Sequence, residues 1–365
     1  MSNKIKKHEK EGKRESSIEL LRIIMVTGVI LLHYNTMGGG YDAVRKGSIN
    51  QYYLFGVESF FVCAVDVFIM ISGYFLCTNK KRNFIKVVEL LLQVIVINFM
   101  SYAIRCFTGE LSLSFRGIIG CFIPVNYYVI LYSTLYLLSP YINLLMENLN
   151  KNNKQKFLIT IFLFFSVYTS LVAYVEKIIG LQLNGLSTVG LYGSSRGYTI
   201  VNFVLIYIIG AYARSNIKKV RISKILVILC SLIVGLYIFT IIEYKTASTY
   251  GTVWNYDNPM VIMISLCALL FFTQIKMNCK IINELSRAVF TCFLFHGVLL
   301  KYFRIEDIVN MKLSYLILHQ IAIVIIIYII SYLIYKIYHW ISKPVIEKLR
   351  PLCSIIDELL LINLD

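Results

Sequence analysis

The stretch IELLRIIMVTGVILLHYN, residues 18–35, decides how this chain folds. It is apolar over nearly its whole length, and about 20 apolar residues in a helix are enough to cross a bilayer. A basic segment precedes it, as in a signal peptide, but the stretch holds Glu19, Arg22 and His33 and lacks an A-x-A-like cleavage site. Further apolar runs follow it. It is therefore predicted to be a retained first membrane helix.

The composition of the 365-residue chain extends this interpretation to the whole protein. Hydrophobic residues make up 58%, charged residues 15%, and the mean hydropathy is +0.70. A globular protein is about 45–50% apolar and about 25% charged, so a water-soluble enzyme, a disordered chain and a small disulfide scaffold are excluded. The nine cysteines lie mostly in apolar runs without metal-ligand spacing. We expect no metal site.

Ten apolar segments predict an all-α, polytopic membrane protein of about ten transmembrane helices. Most of the 36 Lys and Arg residues fall in loops on the side of the N-terminus. Because such residues gather in cytoplasmic loops, both termini are predicted to be cytoplasmic. This also explains the net charge of +16 without nucleic acid as a partner. The segments are centred on residues 18–36, 55–77, 87–106, 118–142, 157–175, 198–213, 223–243, 258–275, 287–303 and 314–338.

The chain divides into three predicted parts. Residues 1–17 are a basic cytoplasmic N-terminus, and residues 18–343 are one membrane domain without a visible repeat. Residues 344–365 form a cytoplasmic tail, whose alternation of apolar and polar residues favours an amphipathic helix on the inner membrane surface.

Arg22 and His33 are the most informative ionisable residues of the first helix. Eleven positions correspond to three helical turns plus about 20°, so both side chains share one face and lie about 16 Å apart along the axis. Glu19 lies on the same face. A charged side chain within a bilayer costs about 2.5–3.5 kcal/mol, which favours a functional role. The alternative is that Arg22 extends towards the inner headgroups and His33 towards the outer ones.

The second apolar segment contains VDVFIMISGYF, residues 65–75, followed by the basic loop KKRNFIK, residues 80–86. Asp66 lies deep in this segment, where an unpaired carboxylate must be neutral or find a partner. Gly73 allows close helix approach and Ser72 can bond across helices, so packing and function both remain open for this pair. For the basic loop, ordinary positive-inside loading is the alternative to ligand binding.

Two further residues are weaker candidates. Glu58 is expected at the outer mouth of the second helix, and His296 lies mid-helix in TCFLFHGVLL. A single membrane histidine more often forms a helix-to-helix hydrogen bond than acts in catalysis. The sequence has no GxSxG, P-loop or Rossmann glycine pattern, which argues against an ATPase or a nucleotide-dependent dehydrogenase.

Four stretches, in this order, resemble the integral-membrane acyltransferase 3 family, whose members O-acylate bacterial cell-surface carbohydrates. Arg22 and His33 match its R-x10-H signature, and residues 65–75 resemble its second-helix pattern. Residues 126–143 (NYYVILYSTLYLLSPYIN) and 286–300 (SRAVFTCFLFHGVLL) resemble its fourth-span and late segments. Two features depart from the family: KKRNFIK stands where R-x-x-R is usual, and residues 126–128 stand where a Trp is usual.

The resemblance implies a mechanism at a bacterial cytoplasmic membrane, with lipid around the protein. Acetyl-CoA or another acyl-CoA is expected as co-substrate, with no tightly bound cofactor and no metal. The acceptor is expected to be exopolysaccharide, capsule, a lipid-linked sugar or peptidoglycan. The resemblance implies that His33 acts as general base, that Arg22 holds the donor or polarises its carbonyl, and that Asp66 is catalytic. The implied donor-binding residues are Lys81, Arg82, Lys86 and Ser72. The implied accessory residues are Glu19, Glu58 and His296.

Two other classes of function stay open from the residues alone. In a transporter or flippase for a lipid-linked glycan or acyl group, the membrane carboxylates and Arg22 would form a pathway. Such proteins often have paired, Gly- or Pro-interrupted segments in two related halves, which this sequence lacks. A sensor or scaffold would not require Arg22 and His33 on one helix face.

Overall fold

The computed structural model describes residues 15–79, 81–191, 193–217 and 219–360. Within these ranges the protein is helical and contains no strand, which confirms the all-α prediction. The helices are α1 Ser16–Asn35, α2 Gly40–Ala43, α3 Ile49–Phe61, α4 Ala64–Leu76, α5 Ile85–Phe107, α6 Phe115–Cys121, α7 Tyr127–Asn148, α8 Lys151–Phe162, α9 Tyr168–Ile179, α10 Ile200–Asn216, α11 Ile222–Ala247, α12 Pro259–Gln274, α13 Lys280–Leu285, α14 Val289–Leu300, α15 Ile305–Ile308 and α16 Leu313–Leu360.

Seven helical segments of the described chain are long and apolar enough to cross a membrane. Three predicted spans correspond to shorter helices, since α10 has 17 residues, α12 has 16 and α14 has 12. By helix length, the described chain therefore has fewer membrane-spanning helices than the ten that were predicted. The seven segments are Ser16–Asn35, Ile49–Leu76, Ile85–Phe107, Tyr127–Asn148, Lys151–Ile179, Ile222–Ala247 and Leu313–Leu359.

The fourth predicted span was wrong at its start. Residues 118–142 were expected to form one helix, but α6 ends at Cys121 and α7 begins at Tyr127. Asn126 caps α7, because its side chain accepts a hydrogen bond from the backbone N–H of Val129 at 3.1 Å. Pro124, which has no N–H to give to a helix, lies in the connection.

Helices α4 and α10 form the centre of the bundle, with α1 and α12 packed beside them. A side chain at Gly73 of α4 would collide with the backbone of Tyr207, and one at Gly210 of α10 would collide with the backbone of Met70. The two glycines therefore allow the helices to approach at backbone distance, as was predicted for Gly73.

The outer helices carry the surface expected for contact with lipid. In the segments formed by α5 and by α11, only 17% of the apolar window is buried inside the protein, against 72% for α3–α4. A soluble protein does not expose long apolar faces of this kind. The helices and their exposed apolar faces indicate a membrane protein.

Helix α16 continues beyond the last predicted span into the predicted tail. Its 48 residues extend about 70 Å, more than twice the hydrocarbon thickness of a bilayer. The helix passes through Pro344 and Pro351 without ending, and the Asp357 carboxylate accepts a hydrogen bond from the backbone N–H of Phe84 at 2.6 Å. Residues 344–360 are thus docked on the protein instead of forming a separate element. Residues 1–14 and 361–365 of the predicted terminal parts lie outside the described ranges.

Candidate active site

The bundle has two ends, which we name from the chain. The terminal end holds the start of α1, the loop before α5 and the last turns of α16, joined by the Phe84–Asp357 hydrogen bond. The far end holds the end of α1 and the loop between α11 and α12. Between the two ends lie a far, a middle and a basal cavity, in this order.

The far cavity, of about 420 Å³, contains three of the residues predicted from the sequence. His33 and His296 enter it from α1 and α14, and Glu58 enters it from α3. Seven of the other lining residues are aromatic. The aromatic residues that line it are Tyr41, Tyr127, Tyr198, Tyr250, Trp254, Tyr256 and Phe293.

The two histidines contact each other. The distance between His33 Nδ1 and His296 Nε2 is 3.0 Å. His33 Nδ1 also lies 2.9 Å from the carbonyl oxygen of Val29, and His296 Nδ1 lies 3.1 Å from that of Cys292. Because a carbonyl oxygen only accepts, each Nδ1 must carry a hydrogen. The Nδ1–H of His33 is then shared between the Val29 carbonyl and the lone pair of His296 Nε2.

This network leaves Nε2 as the unprotonated nitrogen of the His33 ring. With the opposite tautomers, lone pairs on both Nδ1 atoms would face carbonyl oxygens, which is unfavourable. The ring is half-buried and lines the far cavity, so it combines a fixed orientation with access to a ligand. A base whose ring is oriented by a second hydrogen-bonding group is the arrangement that nucleophile activation requires. The orienting group is His296, which lies 263 positions away in the sequence.

Glu58 lines the same cavity, but its hydrogen bond is to Asn35 and not to either histidine. It is only 7% exposed, and its carboxylate accepts a hydrogen bond from the Asn35 side chain at 3.0 Å. Asn35 ends α1 two residues after His33, so this bond ties the end of the histidine-bearing helix to α3. One wall near Glu58 is formed by Tyr41 and Trp254, whose stacked rings have centroids 5.9 Å apart.

A large opening at the far end leads into the far cavity. This vestibule of about 1090 Å³ shares Arg196, Tyr250, Gly251 and Asn255 with it. Arg196 adopts a left-handed backbone conformation (φ 56°), which non-glycine residues rarely adopt. Its carbonyl accepts a hydrogen bond from the Tyr256 N–H at 3.0 Å. A polar molecule at the far end thus has a route to His33 past an arginine.

The middle cavity, of about 310 Å³, brings Arg22 and Glu19, predicted from the first helix, together with Ser72, predicted from the second apolar segment. Arg22 forms an ion pair with Glu19 at 3.4 Å, while its side chain stays 38% exposed. The Ser72 hydroxyl lies 3.1 Å from the hydroxyl of Tyr132. Arg287 adds a second guanidinium to the wall.

Phe293 lines both the middle and the far cavity. Its ring centroid lies 4.9 Å from that of Tyr128, a middle-cavity residue, and 6.3 Å from that of His296. Arg22 and His33 therefore face two neighbouring cavities that meet at Phe293, as expected for residues on one face of α1.

Two predicted site residues lie inside the protein and not in a cavity wall. Asp66 is fully buried, and neither carboxylate oxygen has a hydrogen-bond partner. Arg82 is 4% exposed, and its guanidinium donates to the Ser139 hydroxyl at 2.7 Å and to the carbonyls of Asn79, Lys81 and Leu76. These bonds use four of the five N–H groups of the guanidinium.

The remaining loop residues take different places. Lys86 lines the basal cavity, about 470 Å³ at the terminal end, whereas Lys81 is exposed outside the described cavities. Lys80 lies outside the described residues. Among the described residues, no group of three or more His, Cys, Asp or Glu side chains could hold a metal ion.

Three residues of the site have no clear signal in the sequence. Arg287 precedes α14 like any basic residue at the end of a span, and Tyr132 and Phe293 are two of many aromatic residues in apolar helices. Their importance comes from contacts between helices distant in the chain. All three nevertheless lie in stretches that resemble the family: Tyr132 in residues 126–143, and Arg287 and Phe293 in residues 286–300.

The comparisons with known proteins identify the family of the chain. Residues 15–336 match a family described as an acyltransferase domain, which is nearly the whole chain. No curated protein and no solved structure matches the chain.

Proposed function

The chain belongs to the acyltransferase 3 family, and we propose that it is a membrane O-acyltransferase acting on carbohydrate. In this proposal an acetyl group passes from a cytoplasmic thioester donor to a hydroxyl of a cell-surface or lipid-linked sugar. The observation that carries the proposal is the pair of adjoining cavities, one holding Arg22 and the other holding the His33–His296 pair.

His33 supplies the base. Its unprotonated Nε2 removes the proton from the sugar hydroxyl while the hydroxyl oxygen attacks the thioester carbonyl carbon. The C–S bond breaks, the imidazolium returns the proton to the departing sulfur, and the products are an O-acyl ester and a free thiol. Imidazole suits both steps because its ordinary pKa lies near working pH.

Arg22 holds the donor. Its guanidinium remains partly exposed in the middle cavity after pairing with Glu19, so it has N–H groups to give to a ligand. Charge-assisted hydrogen bonds to phosphate or to a polarised carbonyl are stronger than neutral ones. Ser72 and Arg287 lie in the same wall and add polar groups to this donor path.

The far cavity receives the acceptor. Its aromatic rings offer flat surfaces to the C–H faces of a sugar, and Glu58 and Asn255 offer polar groups to hydroxyls. The terminal end faces the cytoplasm because Lys and Arg concentrate there. The donor then enters at that end and the acceptor arrives through the vestibule, at the plasma membrane of a bacterium.

The test is transfer of label from acetyl-CoA to glycan in membranes that contain the protein. Wild-type membranes should form labelled O-acetyl ester, and His33→Ala should lower the rate about 10²- to 10⁴-fold at unchanged protein abundance. His319→Ala is the matched control, because His319 does not line the far cavity. Its Nδ1 lies 2.9 Å from the Tyr34 hydroxyl. Normal transfer by His33→Ala, or carriage of acyl groups without an ester product, would contradict the proposal.

A further inference from the structure

The basal cavity lies between α5 and the part of α16 that continues past the last span. Three cations line it: Lys86 from α5, and Lys343 and Arg350 from α16. The α16 part of its wall begins at Tyr338, beyond residues 15–336 that match the family. This part of the wall therefore lies outside the residues that match the family.

The three cations are available to a ligand. Each is exposed, and no ion pair among the described residues involves any of them. Two carboxylates, Glu89 and Glu347, share the wall. Because carboxylates accept hydrogen bonds, the cavity suits a ligand that carries anionic groups for the cations and N–H or O–H donors for the carboxylates. Basic side chains from two helices that converge on one pocket are an arrangement that binds phosphate.

The basal cavity joins the path that leads to His33. It shares Leu90 and Tyr132 with the middle cavity, and the middle cavity shares Phe293 with the far cavity. The Tyr132 hydroxyl lies 3.1 Å from Ser72, at the point where the first two cavities meet. One elongated molecule can therefore have one end in the basal cavity and the other beside Phe293.

The C-terminal wall is held in place. The Phe84–Asp357 hydrogen bond joins α16 to the residue before α5, and Cys353 is only 4% exposed. In the cavity itself, the Tyr338 hydroxyl donates to the Glu89 carbonyl at 3.1 Å. These contacts keep Lys343 and Arg350 opposite Lys86 instead of leaving them on a free tail.

We propose that the basal cavity binds the phosphate-bearing end of the thioester donor, with Lys343 and Arg350 as ligands on one side and Lys86 on the other. The inference rests on the proposed function. It adds that the donor's phosphates are held at the terminal end while its arm passes Arg22 and places the thioester beside Phe293. A phosphate of an anionic lipid headgroup has the same chemistry, so the experiment separates the two sources.

The experiment measures binding of coenzyme A and of pantetheine, which lacks the phosphates, to the full chain in phosphatidylcholine nanodiscs. The double variant Lys343→Ala/Arg350→Ala should weaken coenzyme A binding at least about tenfold and leave pantetheine binding unchanged. Lys348→Ala is the matched control, because Lys348 lies on the same helix outside the cavity wall. Lys343→Arg/Arg350→Lys should keep most of the affinity.

Three results would overturn the inference. The first is that the double variant binds coenzyme A as tightly as the wild type does. The second is that its affinity for pantetheine falls as much as its affinity for coenzyme A, which indicates that the path of the arm is distorted. The third is that the double variant loses affinity only for phosphatidylglycerol, which is titrated as vesicles; this result indicates a lipid site. A protein with the expected binding pattern that transfers no acyl group from any thioester would contradict the proposed function and support this binding site.

Discussion

Arg22 and Arg82 lie in two regions that differ in how far they bury and hydrogen-bond an arginine side chain. Arg82 is 4% exposed and donates to four oxygen atoms of its own chain, three of them backbone carbonyls. The Arg22 side chain is 38% exposed in the middle cavity, with one ion pair at 3.4 Å. The sequence places both near the terminal end. The number of N–H groups left for a ligand, and not the charge, separates the structural Arg82 from Arg22, which is proposed to bind the donor.

Removing Arg82 should give the largest effect on folding. In Arg82→Ala, buried carbonyls lose their donors, and we expect the free energy of unfolding to fall by about 2–4 kcal/mol. The measurement is the thermal midpoint in detergent, with the exposed neighbour Lys81→Ala as control, expected within about 0.5 kcal/mol of the wild type. A normal midpoint combined with a raised KM for acetyl-CoA would reverse the roles assigned to the two arginines.

Removing Arg22 should act on donor use instead of folding. We expect Arg22→Ala to raise the KM for acetyl-CoA about ten- to a hundredfold, because a charge-assisted contact is worth about 1.5–3 kcal/mol. Arg22→Lys should recover part of this loss. The control is Arg304→Ala, since that side chain is 82% exposed at the far end. A lower thermal midpoint with unchanged KM would show that Arg22, like Arg82, has a structural role.

Changing His296 should give the smallest effect of the three. His296→Leu removes one of the two acceptors of the His33 Nδ1–H and leaves only the Val29 carbonyl. Because the ring is then held less firmly, we expect kcat to fall about tenfold at unchanged KM. His296→Gln keeps an acceptor oxygen and should stay within a few-fold of the wild type. Equal loss in both variants would show that His296 fills space and does not orient the base.

The residues that were predictable from the sequence owe their positions to local geometry. Arg22 and His33 follow from the pitch of one helix, and the close approach at Gly73 follows from its missing side chain. Asp66, Arg82 and His296 could be recognised as unusual, but their surroundings depend on contacts between distant segments. The continuation of α16 through Pro344 also could not be predicted from the sequence, because a proline ordinarily marks a helix end.

The central claim is that donor and acceptor meet from opposite ends of the connected cavities. Its most direct test supplies labelled acetyl-CoA to sealed membrane vesicles of either orientation. Inside-out vesicles should form labelled ester that an added esterase reaches only after detergent opens them, whereas sealed right-side-out vesicles should form none. Equal labelling in sealed right-side-out vesicles, or ester that the enzyme removes without detergent from inside-out ones, would contradict the claim.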